Sequence, residues 1–317
     1  MLNFLYCFDE NYNVQGFLSM YSLLEKVDIK IQIYLIHKSQ KDKINIPSKI
    51  KNHKNLESLN IYKFENKDLN FYNLENAHVS EATFYRLFCT KYLPENLEKI
   101  IYLDADVYCI NNPVSILINS FEKLDFSDFS VSFSTEKYQS EDNTDFKRLQ
   151  LSGNKYFNAG VMLLDLKKTR ADNFLTKSAN LINEIKEEAI YWDQDILNKY
   201  YDGNYFELDE GLNFKINLIG KDYSEILNTD KLSNEIYFVH YSGKFKPWSV
   251  KGSTHNASYI FHELYFELFN REYYISNARK KQALIDILKI LISLKIFNFK
   301  YPLKFFNAVM RYLVTKK

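Results

Sequence analysis

Two carboxylates close an apolar run at Ile100-Ile101-Tyr102-Leu103-Asp104-Ala105-Asp106. Acids spaced D-x-D at a strand end can reach toward one hard divalent cation or its waters, or they can simply cap a turn. A second apolar run, from Glu235, ends in His240. An imidazole beside two carboxylates favours Mn²⁺ over Mg²⁺. The loop after it, Ser242-Gly243-Lys244-Phe245-Lys246, combines a glycine turn with two cations. That combination suits phosphate oxygens, although a solvated surface loop has the same composition. Further acids follow the first apolar run at Asp9 and Glu10. Asp193, Gln194 and Asp195 open the helical pattern within Ala189–Tyr201. Arg86 lies between Tyr85 and Leu87, placed either as an ordinary amphipathic arginine or as a clamp on an anionic ligand.

The elements that must position these residues alternate. Asn3–Phe8, Ile29–Ile36, Leu56–Tyr62 and the run ending at Asp104 read as strands. Between them Tyr12–Lys26, Lys38–Asn52 (weakly) and Glu81–Pro94 read as helices. This β-α-β-α-β order predicts an α/β fold, a mainly parallel sheet with helices on both faces, and ligands beyond the carboxyl ends of the strands. A strand is predicted over Gly160–Leu166.

The chain has 317 residues with 46% apolar and 26% charged content, which excludes disorder as the main state. Cys7, Cys89 and Cys109 form neither an even set nor a ligand-like spacing, which fits a reduced compartment. The start, Met1–Glu10, lacks a basic segment before its apolar one, so a cytoplasmic protein beginning directly in its first strand is expected.

Six segments in the same order resemble glycosyltransferase family 8, the group of glycogenin and the bacterial lipooligosaccharide α-galactosyltransferases. They are FDENY (8–12), HVSEATFYRL (78–87), YLDADV (102–107), YFNAGVMLLDL (156–166), DQDILN (193–198) and HYSGKFKPW (240–248). The resemblance implies a GT-A fold, a UDP-sugar donor, Mn²⁺ dependence with Mg²⁺ as the alternative, and transfer with retention of anomeric configuration. It implies a hexose, galactose or glucose, passed to a glycan or lipid-linked saccharide. Carried across by position, Asp104, Asp106 and His240 match metal ligands, and Asp9 and Asn11 match contacts to uridine. Arg86, Asn158, Asp193 and Gln194 match residues around the donor sugar, the last two at the catalytic position. Gly243 and Lys246 match the loop that holds the diphosphate, and His78 matches a position on the acceptor side. The resemblance departs at two places. Ser242-Gly243-Lys244 replaces the Cys-Gly-Pro of the bacterial galactosyltransferases, and Ser132–Tyr138 has no clear match to their acidic acceptor contact.

From Asn277 to Lys317 ten basic residues stand against Asp286 alone, a net of +9 in a chain whose total is +1. The rest therefore carries −8. This predicts a catalytic domain over 1–270 and a basic amphipathic helical region over 271–317. The apolar run Ala283–Phe299 is interrupted by charge, so an interfacial helix rather than a spanning one is expected. Asp286, Lys289 and Ser293 are spaced as one polar face, and Lys304, Asn307 and Arg311 repeat that spacing. Peripheral contact with an anionic membrane, on the inner face of the cell membrane, is the expected role, and nucleic acid is not an expected partner. Two competing functions share some of these features: a metal-dependent nucleotidyltransferase, and a non-enzymatic membrane-associated UDP-sugar-binding protein.

Overall fold

A computed structural model describes residues 1–65, 80–136, 144–153, 155–218, 223, 234–277 and 279–315. Seven strands form the main sheet: β1 (Asn3–Phe8), β2 (Ile31–His37), β3 (Leu56–Lys63), β4 (Lys99–Leu103), β6 (Val131–Thr135), β7 (Phe157–Asp165) and β8 (Phe206–Glu207), in the order β3-β2-β1-β4-β7-β6-β8. The strands from β3 to β4 are parallel, whereas β7 runs antiparallel to both β4 and β6, so the sheet is mixed. Three short strands, β5 (Val107–Cys109), β9 (Phe214–Lys215) and β10 (Phe238–His240), form a second sheet in the order β5-β10-β9.

Central strands are apolar on both faces because both faces are covered. Phe4, Tyr6 and Phe8 of β1 enter one core and Leu5 and Cys7 the other; Ile101 and Leu103 of β4 divide from Ile100 and Tyr102 in the same way. The helices Asn13–Lys26 and Tyr259–Phe269 cover the first face. The segment Glu81–Phe88 and the helices Phe174–Glu184 and Trp192–Tyr201 cover the second. The helical pattern at Glu81–Pro94 is realised as a 3₁₀ helix, Glu81–Phe88, followed by one α-turn, Cys89–Tyr92. The weak pattern at Lys38–Asn52 yields two short pieces, Lys41–Lys43 and Ser48–Lys51.

At the carboxyl end, the helices Lys280–Ile292 and Pro302–Val314 gather a separate apolar cluster with Val250, Ile275 and Ile296. The expected polar face is corrected here. Asp286 is buried and accepts from Gln282, on the same side as Ala283, Ile287 and Ile290, while Lys289 and Ser293 are exposed. A single short acid is tolerated on the packed face because an amide one turn away supplies its hydrogen bond. No helix among the described residues is long and apolar enough to cross a membrane.

Candidate functional site

The two sheets meet at the D-x-D. After β4 the chain passes through Asp104 and Asp106, and β5 then leaves the main sheet to pair with β10, setting Val107 opposite His240. The Tyr241 N–H donates to the Asp106 carbonyl at 3.2 Å. The Asp104 N–H donates to the Gly160 carbonyl at 2.8 Å, so the first half of strand β7 lies beside the same acids. Asp104, Asp106 and His240 each offer one ligand atom, and these atoms lie within 4.8 Å of one another. Gly160 leaves the room for this approach: a Cβ there would lie 2.2 Å from Cε1 of His240.

Two backbone donors set the side chains of the site, and the orientation of the imidazole follows from the first. The Gly160 N–H requires the oxygen of Asn158, 3.0 Å away. Asn213 then donates its Nδ2 to that oxygen at 3.0 Å, which turns its own Oδ1 to Nδ1 of His240, also at 3.0 Å. Since Oδ1 only accepts, Nδ1 carries the hydrogen and the Nε2 lone pair faces Oδ1 of Asp106 at 3.4 Å. Two acceptors facing one another beside a second carboxylate fit a divalent cation. Lys246 reaches the other oxygen of Asp106 at 2.7 Å. Burial opposes ionisation of Asp106, but the ammonium of Lys246 outweighs it and holds the carboxyl well below the usual carboxylate range.

The second backbone donor fixes the amide at the expected catalytic position. The Ala159 N–H and Nδ2 of Asn158 both donate to Oε1 of Gln194, at 3.1 and 3.3 Å. Its Nε2 donates to the Tyr156 hydroxyl at 3.2 Å, which donates to Asp195, itself clamped by Arg148. Trp192, at φ 49°, makes the left-handed turn that leads into Asp193 and Gln194. A bulky residue in that region costs about 1 kcal/mol or more, a strain found at sites where direction matters.

Arg86 is not a free clamp. Its guanidinium lies 2.9 Å from Asp104 and 2.6 Å from Asp193, donates to the Ala159 carbonyl at 2.5 Å, and stacks over Tyr102. Asp193 is buried against it and accepts from Thr83. Burial pushes the Asp193 carboxyl up to about 6, against the pull of Arg86 and Thr83.

These side chains line one cleft of about 700 Å³. Its walls include Arg86, Asp104, Asp106, Asn158, Asp193, Gln194, His240, Gly243 and Lys246. Phe8 and Tyr12 line the cleft but Asp9 and Asn11 do not: Asp9 is buried, accepts from the exposed Asn11 and caps the turn Glu10–Tyr12. His78 lies outside the described residues. Sequence reasoning did not assign Thr83, Tyr156, Asn213 or Glu136. Thr83 and Tyr156 lie inside recognisable segments, but Asn213 lies outside all six. Its only sequence signal is a polar side chain two residues ahead of a lysine in a short apolar stretch. Glu136, at the end of β6 in the stretch that lacked a family match, lines the cleft and pairs with Lys215 at 2.8 Å.

The fold is similar to that of a solved glycosyltransferase. The crystal structure of the galactosyltransferase LgtC, in complex with donor and acceptor sugar analogues, superposes with a TM-score of 0.69. It is 22% identical and covers 84% of this chain and 96% of its own, a likeness that establishes the GT-A fold. The description "Glycosyl transferase family 8" matches residues 3–252, and the chain belongs to that family. Among curated relatives, a putative glycosyltransferase of Haemophilus influenzae is 28% identical over 261 residues, 81% of this chain and 76% of the relative. A lipopolysaccharide 1,2-glucosyltransferase of Escherichia coli K12 is 33% identical over 172 residues, 53% of this chain and 49% of that one.

Proposed function

We propose that the protein transfers a hexose, galactose or glucose, from a UDP-sugar to a hydroxyl of a glycan or lipid-linked saccharide, with retention at the anomeric carbon. The observation that carries this reading is the convergence of Asp104, Asp106 and the Nε2 of His240 beside Gln194 in one cleft. Those three residues would hold Mn²⁺, or Mg²⁺. A cation held there supplies Lewis acidity to the departing diphosphate.

The chain's own residues do the rest. Lys246, already at Asp106, and the Gly243 turn suit the diphosphate oxygens, so negative charge is met as it develops. Gln194 presents an amide whose orientation is set before substrate arrives, and its dipole suits the positive charge that builds on the sugar ring. A neutral amide is a poor nucleophile, which supports attack by the acceptor on the face that the UDP leaves. We assign Asp193 and Arg86 to holding the floor of the sugar pocket, with Asn158 joining that floor to Gln194. Asp9 and Asn11 are assigned to the uridine end and His78 to the acceptor side. On this reading residues 1–270 form the catalytic unit, working on the cytoplasmic side where UDP-sugars are made, and 271–317 form a separate basic region.

The test is a panel of UDP-sugars with Mn²⁺ and no acceptor, scored for slow hydrolysis. Release of UDP from one UDP-hexose, lost on chelation and in Asp104→Asn, is expected. Release of pyrophosphate, or turnover in Asp104→Asn close to that of the unaltered protein at saturating Mn²⁺, would overturn the assignment.

A further inference from the structure

The two carboxyl-terminal helices turn apolar side chains both inward and outward. Ala283, Ile287, Ile290, Phe305 and Val309 pack inward with Val250. Yet eleven of the eighteen exposed large hydrophobic residues among those described lie between Leu284 and Val314. The most open are Ile292 at 83%, Leu303 at 78%, Val314 at 76% and Phe297 at 73%. Leu294, also exposed, sits in the left-handed backbone region at φ 58° in the turn between the helices. A soluble surface ordinarily leaves such residues scattered, so a concentration of them marks a contact surface.

The charges around this surface say what it contacts. Arg279, Lys281, Lys289, Lys295, Lys300 and Arg311 are exposed on the same helical pair, and the only acid of residues 279–315, Asp286, is buried. The exposed side is therefore apolar and cationic, although Glu272, from outside the helical pair, is ion-paired with Lys304. A protein partner would need a matched acidic rim, whereas an anionic bilayer offers both hydrocarbon and phosphate over any area. The aromatic side chains Phe297 and Tyr301 are both exposed: Tyr301 is a residue type that settles at the headgroup level, and Phe297 one that enters the apolar boundary.

We infer that the outward face of Lys280–Val314 docks on an anionic lipid surface, its apolar side chains entering the headgroup boundary and its lysines meeting lipid phosphates. The helical pair is also tied to the cleft. The Val250 N–H donates to Asn277 at 2.8 Å, the Ser276 N–H donates to the Trp248 carbonyl at 2.8 Å, and Tyr312 donates to the Asn277 carbonyl. Trp248 and Val250 directly follow the Gly243–Lys246 loop that lines the cleft. Docking thus fixes that loop relative to the bilayer, which suits a lipid-linked acceptor; this last point alone rests on the transferase reading.

The test is flotation of the full chain with vesicles of phosphatidylglycerol and phosphatidylcholine, or of phosphatidylcholine alone, without any donor. Binding to the anionic vesicles at least tenfold tighter than to the neutral ones is expected. Loss of that binding in Leu288→Glu/Ile292→Glu/Phe297→Glu is expected too, with donor hydrolysis measured without vesicles unchanged as the check on folding. Equal binding to both vesicle types, or unaltered flotation of the triple variant, overturns the inference. No flotation of the unaltered chain at low salt, with a dimer in solution that the triple variant abolishes, assigns the face to a second copy instead. A donor-hydrolysis failure with intact flotation would count against the transferase reading only.

Discussion

Asn213 has one oxygen and one nitrogen, and each is committed: the oxygen to His240, the nitrogen to Asn158. The side chain is 2% exposed, so water does not substitute for either partner. It thereby acts on the metal-ligand set without joining it, by fixing which imidazole nitrogen keeps its lone pair. Partners of this kind are worth roughly 10–100-fold in metal affinity. Asn213→Leu keeps the approximate volume and removes both hydrogen bonds. We expect Mn²⁺ affinity to fall by about that factor. In the metal-free protein, the ¹⁵N resonances of His240 should change from one tautomer to a mixture. Asn213→Asp, which keeps an acceptor for Nδ1, should restore the single tautomer. Unchanged imidazole resonances and unchanged Mn²⁺ affinity in the leucine variant would show that Asn213 only fills space.

The helix Tyr259–Phe269 seats the segment that follows the cleft loop. His262, on its inner side, donates Nε2–H to the Pro247 carbonyl at 3.1 Å. Burial holds its pKa down, from 6.5 to about 4, against a smaller opposing pull from that carbonyl. In the unfolded chain the same ring takes a proton near its ordinary value, so between those two values the unfolded state binds more protons. Stability from this group is complete above pH 6.5 and is lost as the pH falls toward 4, by up to about 3 kcal/mol. Chemical denaturation across that window should show this slope, and His262→Gln should flatten it. An identical slope in the variant would place the acid sensitivity elsewhere.

At this scale the sequence was readable where an element is long and carries its own pattern. The apolar run ending at Asp104, the strand before His240 and the helix bearing Asp193 and Gln194 lie close to where they were expected. The second sheet was readable only at β10, ahead of His240: β9 has two residues and β5 three, too few to show alternation. Asn213 was hidden for the same reason, since only the pairing of β9 with β10 brings it to His240. The antiparallel direction of β7 was likewise not encoded in its side chains, because a strand buried on both faces looks alike in either direction.

Across the whole molecule, family membership and the GT-A fold follow from segments spread over residues 3–252, whereas the tail had to be read from composition. Composition gave its charge correctly and its faces in part: Lys304, Asn307 and Arg311 are exposed together, but Asp286 is buried, since a helical spacing identifies residues that share a side but not which side meets the body. One consequence of that charge is kinetic. With +9 over residues 277–317 and −8 over the rest, the protein is a strong electric dipole. Near an anionic surface one end is pulled and the other pushed, so the molecule experiences a torque before any side chain reaches lipid. Arrival is then oriented rather than random, over a range set by a Debye length of about 8 Å at physiological salt. Added salt should slow association with anionic vesicles by roughly tenfold or more while leaving dissociation, governed by the inserted apolar side chains, nearly unchanged. Stopped-flow mixing separates the two rates, and an association rate indifferent to salt would mean that the molecule arrives without steering.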